Sequence, residues 1–171
     1  MTDNAIHRVN PDFEQEWEGA RADATEVVIN VIRAGDRMSA VVESFLRANG
    51  LPSITALQVL SVLSGDLKAG NQRGLAPSEV ADRSVVSRPA LSGVMDTLER
   101  RGLIRRSPDP DDRRRALVEI TDEGLKLMAG LQPQLHQIEV QWTSVLSPTQ
   151  KASLLRELGR LYGHLPEFLS T

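Results

Sequence analysis

Cysteine is absent from the 171 residues. That excludes disulfide stapling, thiolate catalysis, thiol-based peroxide sensing and zinc held by sulfur. The histidines His7, His136 and His164 lie far apart with no paired spacing, so neither a metal site nor any other cofactor is expected. No apolar run approaches the roughly 20 residues needed to cross a bilayer, and no charged-then-apolar signal pattern opens the chain. The expectation is a cytoplasmic protein with no membrane partner. A glycine-rich phosphate loop, a nucleophile elbow and a metal-binding pair are also missing. Asp111 and Asp112 sit at an arginine-flanked tip where an acid–base pair would not find a cleft, so an enzyme is not expected.

An overall basic charge is lacking too: the net charge is −3. Its distribution is uneven. Between Arg83 and Arg115 nine arginines stand against five acidic residues, leaving the rest of the chain acidic. That asymmetry is the electrostatic footprint expected of a DNA-binding surface on an otherwise acidic protein, and equally of a solvated arginine-rich face. With 40% apolar and 25% charged residues, the length fits one globular domain, or a compact domain with helical extensions.

Apolar residues recur at helical spacing from Phe13 to Ala48 (Val27, Val28, Val31, Ile32, Met38, Val41, Val42, Phe45, Leu46), predicting one long helix that ends at Asn49-Gly50. The alternative is two helices split near Gly35. A helix of roughly 50 Å exceeds what one small domain covers, so part of its stripe should meet another protomer. Thr55 and Gln58 form a capping box for a second helix of about ten residues. Gly65 to Gly74 reads as a loop or a short ribbon edge. Pro77 opens a third helix, Ser87 caps a fourth from Arg88 to Arg101, and Gly102 closes it as a left-handed residue. Two short helices joined by a tight turn signal a helix-turn-helix. Leu103–Arg106 and Ala116–Ile120 alternate as strands around a charged tip. Thr121 caps a fifth helix running to about Val145, bent at Pro133. Ser147-Pro148-Thr149-Gln150 is a capping box opening a sixth, which Pro166 ends.

The order and spacing of these elements carry a specific resemblance. Glu79-Val80-Ala81, the run from Val86 to Ile104, Asp109-Pro110-Asp111-Asp112-Arg113-Arg114, and Val118-Glu119-Ile120-Thr121-Asp122-Glu123-Gly124 together resemble the MarR family over roughly residues 27 to 165. Ala76, where the family usually has a hydroxyl cap, departs from the pattern. The resemblance implies a mainly α fold with a small β-wing, a winged helix-turn-helix core plus N- and C-terminal dimerisation helices. It fits one domain over 1–171, with 51–120 as the DNA-binding lobe and 1–50 and 121–171 for dimerisation.

The implied function is a sequence-specific double-stranded DNA-binding transcription regulator, a homodimeric repressor on a pseudo-palindromic operator, released by a small aromatic or phenolic ligand. It would be nucleoid-associated when bound. The alternative is a winged helix used for protein–protein contact without DNA readout. A helix fits the major groove, and the fourth helix is the candidate. Leu91, Val94, Met95 and Leu98 should face the core, leaving Ser87, Arg88, Pro89, Ala90, Ser92 and Gly93 toward DNA. Arg88 suits guanine, or phosphate alone, whereas Pro89, Ala90 and Gly93 offer little base readout. Arg113, Arg114 and Arg115 form the wing, with Arg113 inserting into a narrow minor groove. The resemblance implies that Asp112 orients an arginine by a salt bridge. Arg105 and Arg106 are read as backbone contacts, and Arg100 and Arg101 as solvated. Val42, Phe45, Leu57, Ser61 and Met128 are candidate ligand-pocket residues, each equally at home in plain core. Trp17, with Arg21 and Asp23 nearby, would suit a planar ligand or pack as an ordinary aromatic.

Overall fold

A computed structural model describes residues 6–71, 73–84, 88–112 and 115–164, apart from the side chains of Arg88 and Pro89. The expectations placed on Ser87, Arg113, Arg114 and Pro166, and on the side chains of Arg88 and Pro89, therefore lie outside the described residues. In order the elements are α1 (Phe13–Glu16), α2 (Ala22–Ala48), α3 (Ile54–Lys68), α4 (Pro77–Ser84), α5 (Arg88–Arg100), β1 (Ile104–Pro108), β2 (Ala116–Ile120), α6 (Asp122–Thr143) and α7 (Pro148–Gly163). The chain divides into two compact units, Met1–Lys126 and Leu127–Thr171, at a point inside α6. No helix among the described residues is long and apolar enough to cross a membrane.

The N-terminal helix is not continuous from Phe13. Trp17 is extended (φ −126°, ψ 103°) and Gly19 has φ +80°, so the chain leaves helical geometry before α2 begins. A Glu14 carboxylate oxygen accepts from the Ala22 N–H at 2.8 Å and bridges the break. The 27-residue α2 then passes unbroken through Gly35, giving about 40 Å of helix where 50 Å was expected. The segment before α1 is tied to α2 by the Asn30 side-chain amide, which clasps the His7 backbone. The His7 N–H donates to Asn30 Oδ1 at 2.8 Å, and Asn30 Nδ2 donates to the His7 carbonyl at 2.9 Å.

The cap of α3 is Ser53, whose side chain accepts from the Ala56 N–H, and not the Thr55–Gln58 pair. Starting earlier and passing through Gly65, α3 reaches 15 residues. α4 has Pro77 at its first position and lacks a hydroxyl cap. Glu79 supplies the return half of a capping box by accepting from the Ala76 N–H at 2.8 Å. α5 ends as expected, with Gly102 at φ +68°. The Gly102 N–H donates to the Glu99 carbonyl at 2.8 Å and the Leu103 N–H to the Leu98 carbonyl at 3.0 Å, the two bonds that satisfy a helix end turning into a strand.

β1 and β2 form an antiparallel pair with Arg105 opposite Glu119 and Arg106 opposite Val118. Leu75 adds a third edge to this ribbon through reciprocal backbone bonds with Val118 (3.0 and 2.8 Å). Of the two readings of 65–74, the first residues are helix and the described remainder is loop, with the ribbon edge starting only at Leu75. Gly74 makes the approach feasible. It has φ +83°, and a Cβ there would stand 2.6 Å from Glu119 Cγ and 2.8 Å from the Val118 carbonyl oxygen. The core of this unit is formed by Leu46, Leu51, Val59, Leu60, Val80, Met95, Leu98, Ile104 and Val118, all nearly or fully buried.

Thr121 Oγ1 accepts from the Gly124 N–H at 3.1 Å and caps α6, which runs through Pro133 without ending. The Ser147–Gln150 capping box is present in both directions at the start of α7.

Candidate nucleic-acid interface

α4 and α5 pack on α3 and present the amino-terminal end of α5 outward. Leu91, Met95 and Leu98 are buried and Val94 is half-buried, while Ala90, Ser92 and Gly93 are exposed, as the helical spacing predicts. The backbone of Arg88 and Pro89 opens this helix. Ser92 and the two small residues leave room for close approach of a groove, and Ala90 offers only a methyl.

The hairpin tip is folded back on itself by short-range bonds on either side of residues 113 and 114. The Asp109 N–H donates to the Arg115 carbonyl at 2.9 Å, the Arg115 N–H donates to the Asp112 carbonyl at 2.8 Å, and the Asp111 N–H donates to Asp109 Oδ1 at 2.9 Å. Arg115 is exposed and Asp112 half-buried. Asp109 is one of the few buried polar residues among the described residues.

Arg105 and Arg106 have carboxylate partners within the lobe. Arg105 pairs across the ribbon with Glu119 at 2.6 Å, and Ser107 Oγ donates to the other oxygen of that carboxylate at 2.8 Å. Arg106 reaches from β1 to α5, pairing with Asp96 at 2.7 Å and Glu99 at 2.9 Å. Arg101 donates to the Gly50 carbonyl at 2.5 Å and Arg100 to Thr97 Oγ1 at 3.2 Å, so neither is merely solvated. Sequence periodicity misses the pairings of Arg101, Arg105 and Arg106 because the fold alone brings those partners close; Arg100 and Thr97 are neighbours one turn apart within α5.

The electrostatics follow. Burial raises the Glu119 pKa, and the hydrogen bonds from Arg105 and Ser107 outweigh it, leaving the carboxyl below its ordinary value. The Asp111 N–H and then the Arg73 guanidinium hold Asp109 below the usual carboxylate range. Hydrogen bonds to Asp109 and Asp111 raise Arg73 in turn.

The candidate pocket residues do not share one environment. Val42, Phe45 and Leu57 are half-buried, Ser61 is exposed and Met128 is buried. A cavity of about 270 Å³ within the first unit is lined instead by residues that include Leu63, Asp66, Asn71, Arg105, Glu119 and Asp122. Trp17 is 64% exposed, which sets aside the packed reading, and Arg21 pairs with Asp23 at 3.2 Å.

The model of the MarR family matches residues 67–116, from the end of α3 through α4, α5 and β1 to the start of β2. That match covers the helix-turn-helix and the first wing strand, so this part of the chain is similar to the MarR family. Among its relatives, the HTH-type transcriptional regulator PecS of Dickeya dadantii is 26% identical over 154 residues, covering 90% of this chain and 93% of PecS. A probable transcriptional regulator of Pseudomonas aeruginosa has a crystal structure that superposes with a TM-score of 0.68 at 28% identity, over 82% of this chain and 99% of that one. BpsR of Bordetella bronchiseptica, whose DNA binding is regulated by 6-hydroxynicotinic acid, superposes with a TM-score of 0.67 at 24% identity, over 80% and 98% of the two chains. The likeness in fold therefore extends over most of the chain, beyond the matched motif.

Proposed function

We propose that this chain is a homodimeric, sequence-specific double-stranded DNA-binding transcription regulator, a repressor whose release is triggered by a small aromatic or phenolic molecule. The observation that carries the reading is the pairing, on one lobe, of an exposed small-residue end of α5 with a hairpin whose tip is closed by the Asp109–Arg115 and Arg115–Asp112 backbone bonds. α5 enters the major groove, and the tip reaches the adjacent minor groove, where Arg113 inserts. Arg114 and Arg115 add phosphate contacts. Arg105 and Arg106 reach phosphate only by exchanging their carboxylate partners, which makes them the weaker contributors. With Ala90 and Gly93 at the reading end, groove shape sensed by the wing contributes much of the specificity.

Dimerisation supports this. One winged lobe buries too little DNA for typical specific affinity, and a two-fold dimer spaces two recognition helices about one helical turn apart. The helices outside the lobe carry the stripes such a dimer needs: Val28, Ile32, Val41, Leu155 and Leu161 are all 46% exposed or more. An aromatic effector is supported by BpsR, which shares the fold and responds to a hydroxylated aromatic acid.

The test is binding to duplexes selected from a random pool. The expected site is pseudo-palindromic with half-site centres about 10 bp apart. Each phosphate contact contributes about −0.9 to the slope of log K against log salt, so Arg113→Ala should reduce that slope by about one. Binding that ignores salt would instead favour a protein partner, and a cytoplasmic, DNA-associated protein should give up its operator when phenolic acids are added.

A further inference from the structure

The loop between α3 and α4 carries an arginine that belongs to neither the recognition helix nor the wing. Arg73 reaches from this loop to the hairpin tip, donating to Asp109 and pairing with Asp111 at 2.5 Å. Asp109 is the buried member and Asp111 the exposed one. The Asp109 oxygen that accepts from Arg73 also accepts the Asp111 N–H, so one atom closes the turn and anchors it to the loop.

The loop is itself held from the helix-turn-helix side. The Arg73 N–H donates to Asn71 Oδ1 at 3.1 Å, and Asn71 Nδ2 bonds the Gly74 carbonyl and Asp66. Asp66, at the end of α3, accepts from Arg83 of α4 at 2.6 Å. A continuous polar chain thus runs from α4 through Asp66, Asn71 and Arg73 to the wing tip. Reciprocal Leu75–Val118 backbone bonds fix the loop against β2 beside it.

We propose that Arg73 is a positioning residue for DNA binding: from the α3–α4 loop it holds Asp109 and Asp111, and through them the turn that carries Arg115, in the arrangement that DNA binding by the wing requires. This rests on the DNA-binding reading above. It adds that the wing's aim is set by a side chain outside the wing, in a loop whose sequence carries no DNA-binding signature. Arg73 is fully committed to two carboxylates of the tip, so its contribution passes through the tip and not through its own charge on phosphate.

The test compares wild type with Arg73→Gln, Asp109→Asn and the double variant by fluorescence anisotropy on a selected duplex, together with hydrogen exchange of the free protein. Asparagine at 109 keeps an oxygen for the Asp111 N–H and removes only the charge that engages Arg73. Positioning predicts that both single variants weaken binding by about three- to thirtyfold and that the double variant is no weaker than the worse single one. It predicts a smaller loss from Arg73→Gln in the Arg113→Ala background than in wild type. The amides of Asp111 and Arg115 should exchange faster in Arg73→Gln without DNA present.

A purely electrostatic role gives the opposite sign at one position, because Asp109→Asn removes a negative charge and would tighten binding. That result, or an Arg73→Gln loss that persists in full beside Arg113→Ala, would overturn the proposal. So would unchanged exchange at the tip. If wild type binds no duplex, the DNA-binding reading falls, while the exchange measurement still decides whether Arg73 orders the tip.

Discussion

Replacing Gly74 by alanine is a sharp perturbation of the lobe because two independent penalties meet there. The first is conformational. At φ +83° an L-residue pays about 1–2 kcal/mol for the left-handed region. The second is steric. The new Cβ falls 2.6 Å from Glu119 Cγ and 2.8 Å from the Val118 carbonyl oxygen. Glu119 yields only by loosening its bonds to Arg105 and Ser107. The Val118 carbonyl is main chain and already accepts from Leu75, so relief there means moving the loop off β2. Losing the two Leu75–Val118 bonds costs about 0.5–1.5 kcal/mol each. Gly74→Ala should therefore destabilise the protein by about 2–5 kcal/mol. Gly70 is the internal control: its φ is +96° and nothing lies within 4 Å of a Cβ, so Gly70→Ala should cost only the conformational part, about 1–2 kcal/mol. Urea unfolding at one fixed protomer concentration measures both, since a dimer's apparent stability depends on concentration. Equal losses in the two variants, or a Gly74→Ala loss under about 0.5 kcal/mol, would refute the close packing of loop and ribbon.

Ile32→Glu on the exposed face of α2 should convert a dimer to monomer by analytical ultracentrifugation and abolish two-fold operator binding, while the helical circular dichroism is retained. Asp109→Asn should lower stability at neutral pH; because the folded-state pKa of Asp109 is depressed, that contribution is present above the ordinary carboxylate range and fades as pH falls below about 4, so wild type and variant should converge in acid unfolding curves. Ser147→Ala removes one half of the α7 capping box and should cost about 1 kcal/mol by thermal or urea unfolding, with no change in DNA affinity at temperatures where the protein is folded.

What the sequence made legible is mostly what is local. Gly102, Thr121 and the Ser147–Gln150 box act on backbone groups within a turn of themselves, and each ends or begins a helix where expected. The buried face of α5 followed from spacing alone because Leu91, Met95 and Leu98 have only one core to face. Where two local signals competed, the choice was harder. Ser53 outranks Thr55 as the cap of α3, and Gly19 breaks the N-terminal helix where Gly35 does not, because Trp17 has already left helical geometry. The interface was least legible where charges pair over distance. Arg105 and Arg106 read as DNA-backbone contacts and Arg101 as solvated in the sequence, yet their partners Glu119, Asp96, Glu99 and the Gly50 carbonyl lie 7 to 51 residues away. Arg73 gave no signal at all, since its meaning depends on Leu75 pairing with β2 and bringing the loop beside Asp109.

The central claim is that two winged lobes of a dimer read one DNA site. Hydroxyl-radical footprinting on a selected duplex tests it most directly. The account predicts two equivalent protected patches related by a dyad, centred about 10 bp apart, with flanking minor-groove protection that disappears in Arg113→Ala. A single asymmetric patch, or protection that survives Arg113→Ala unchanged, would contradict it.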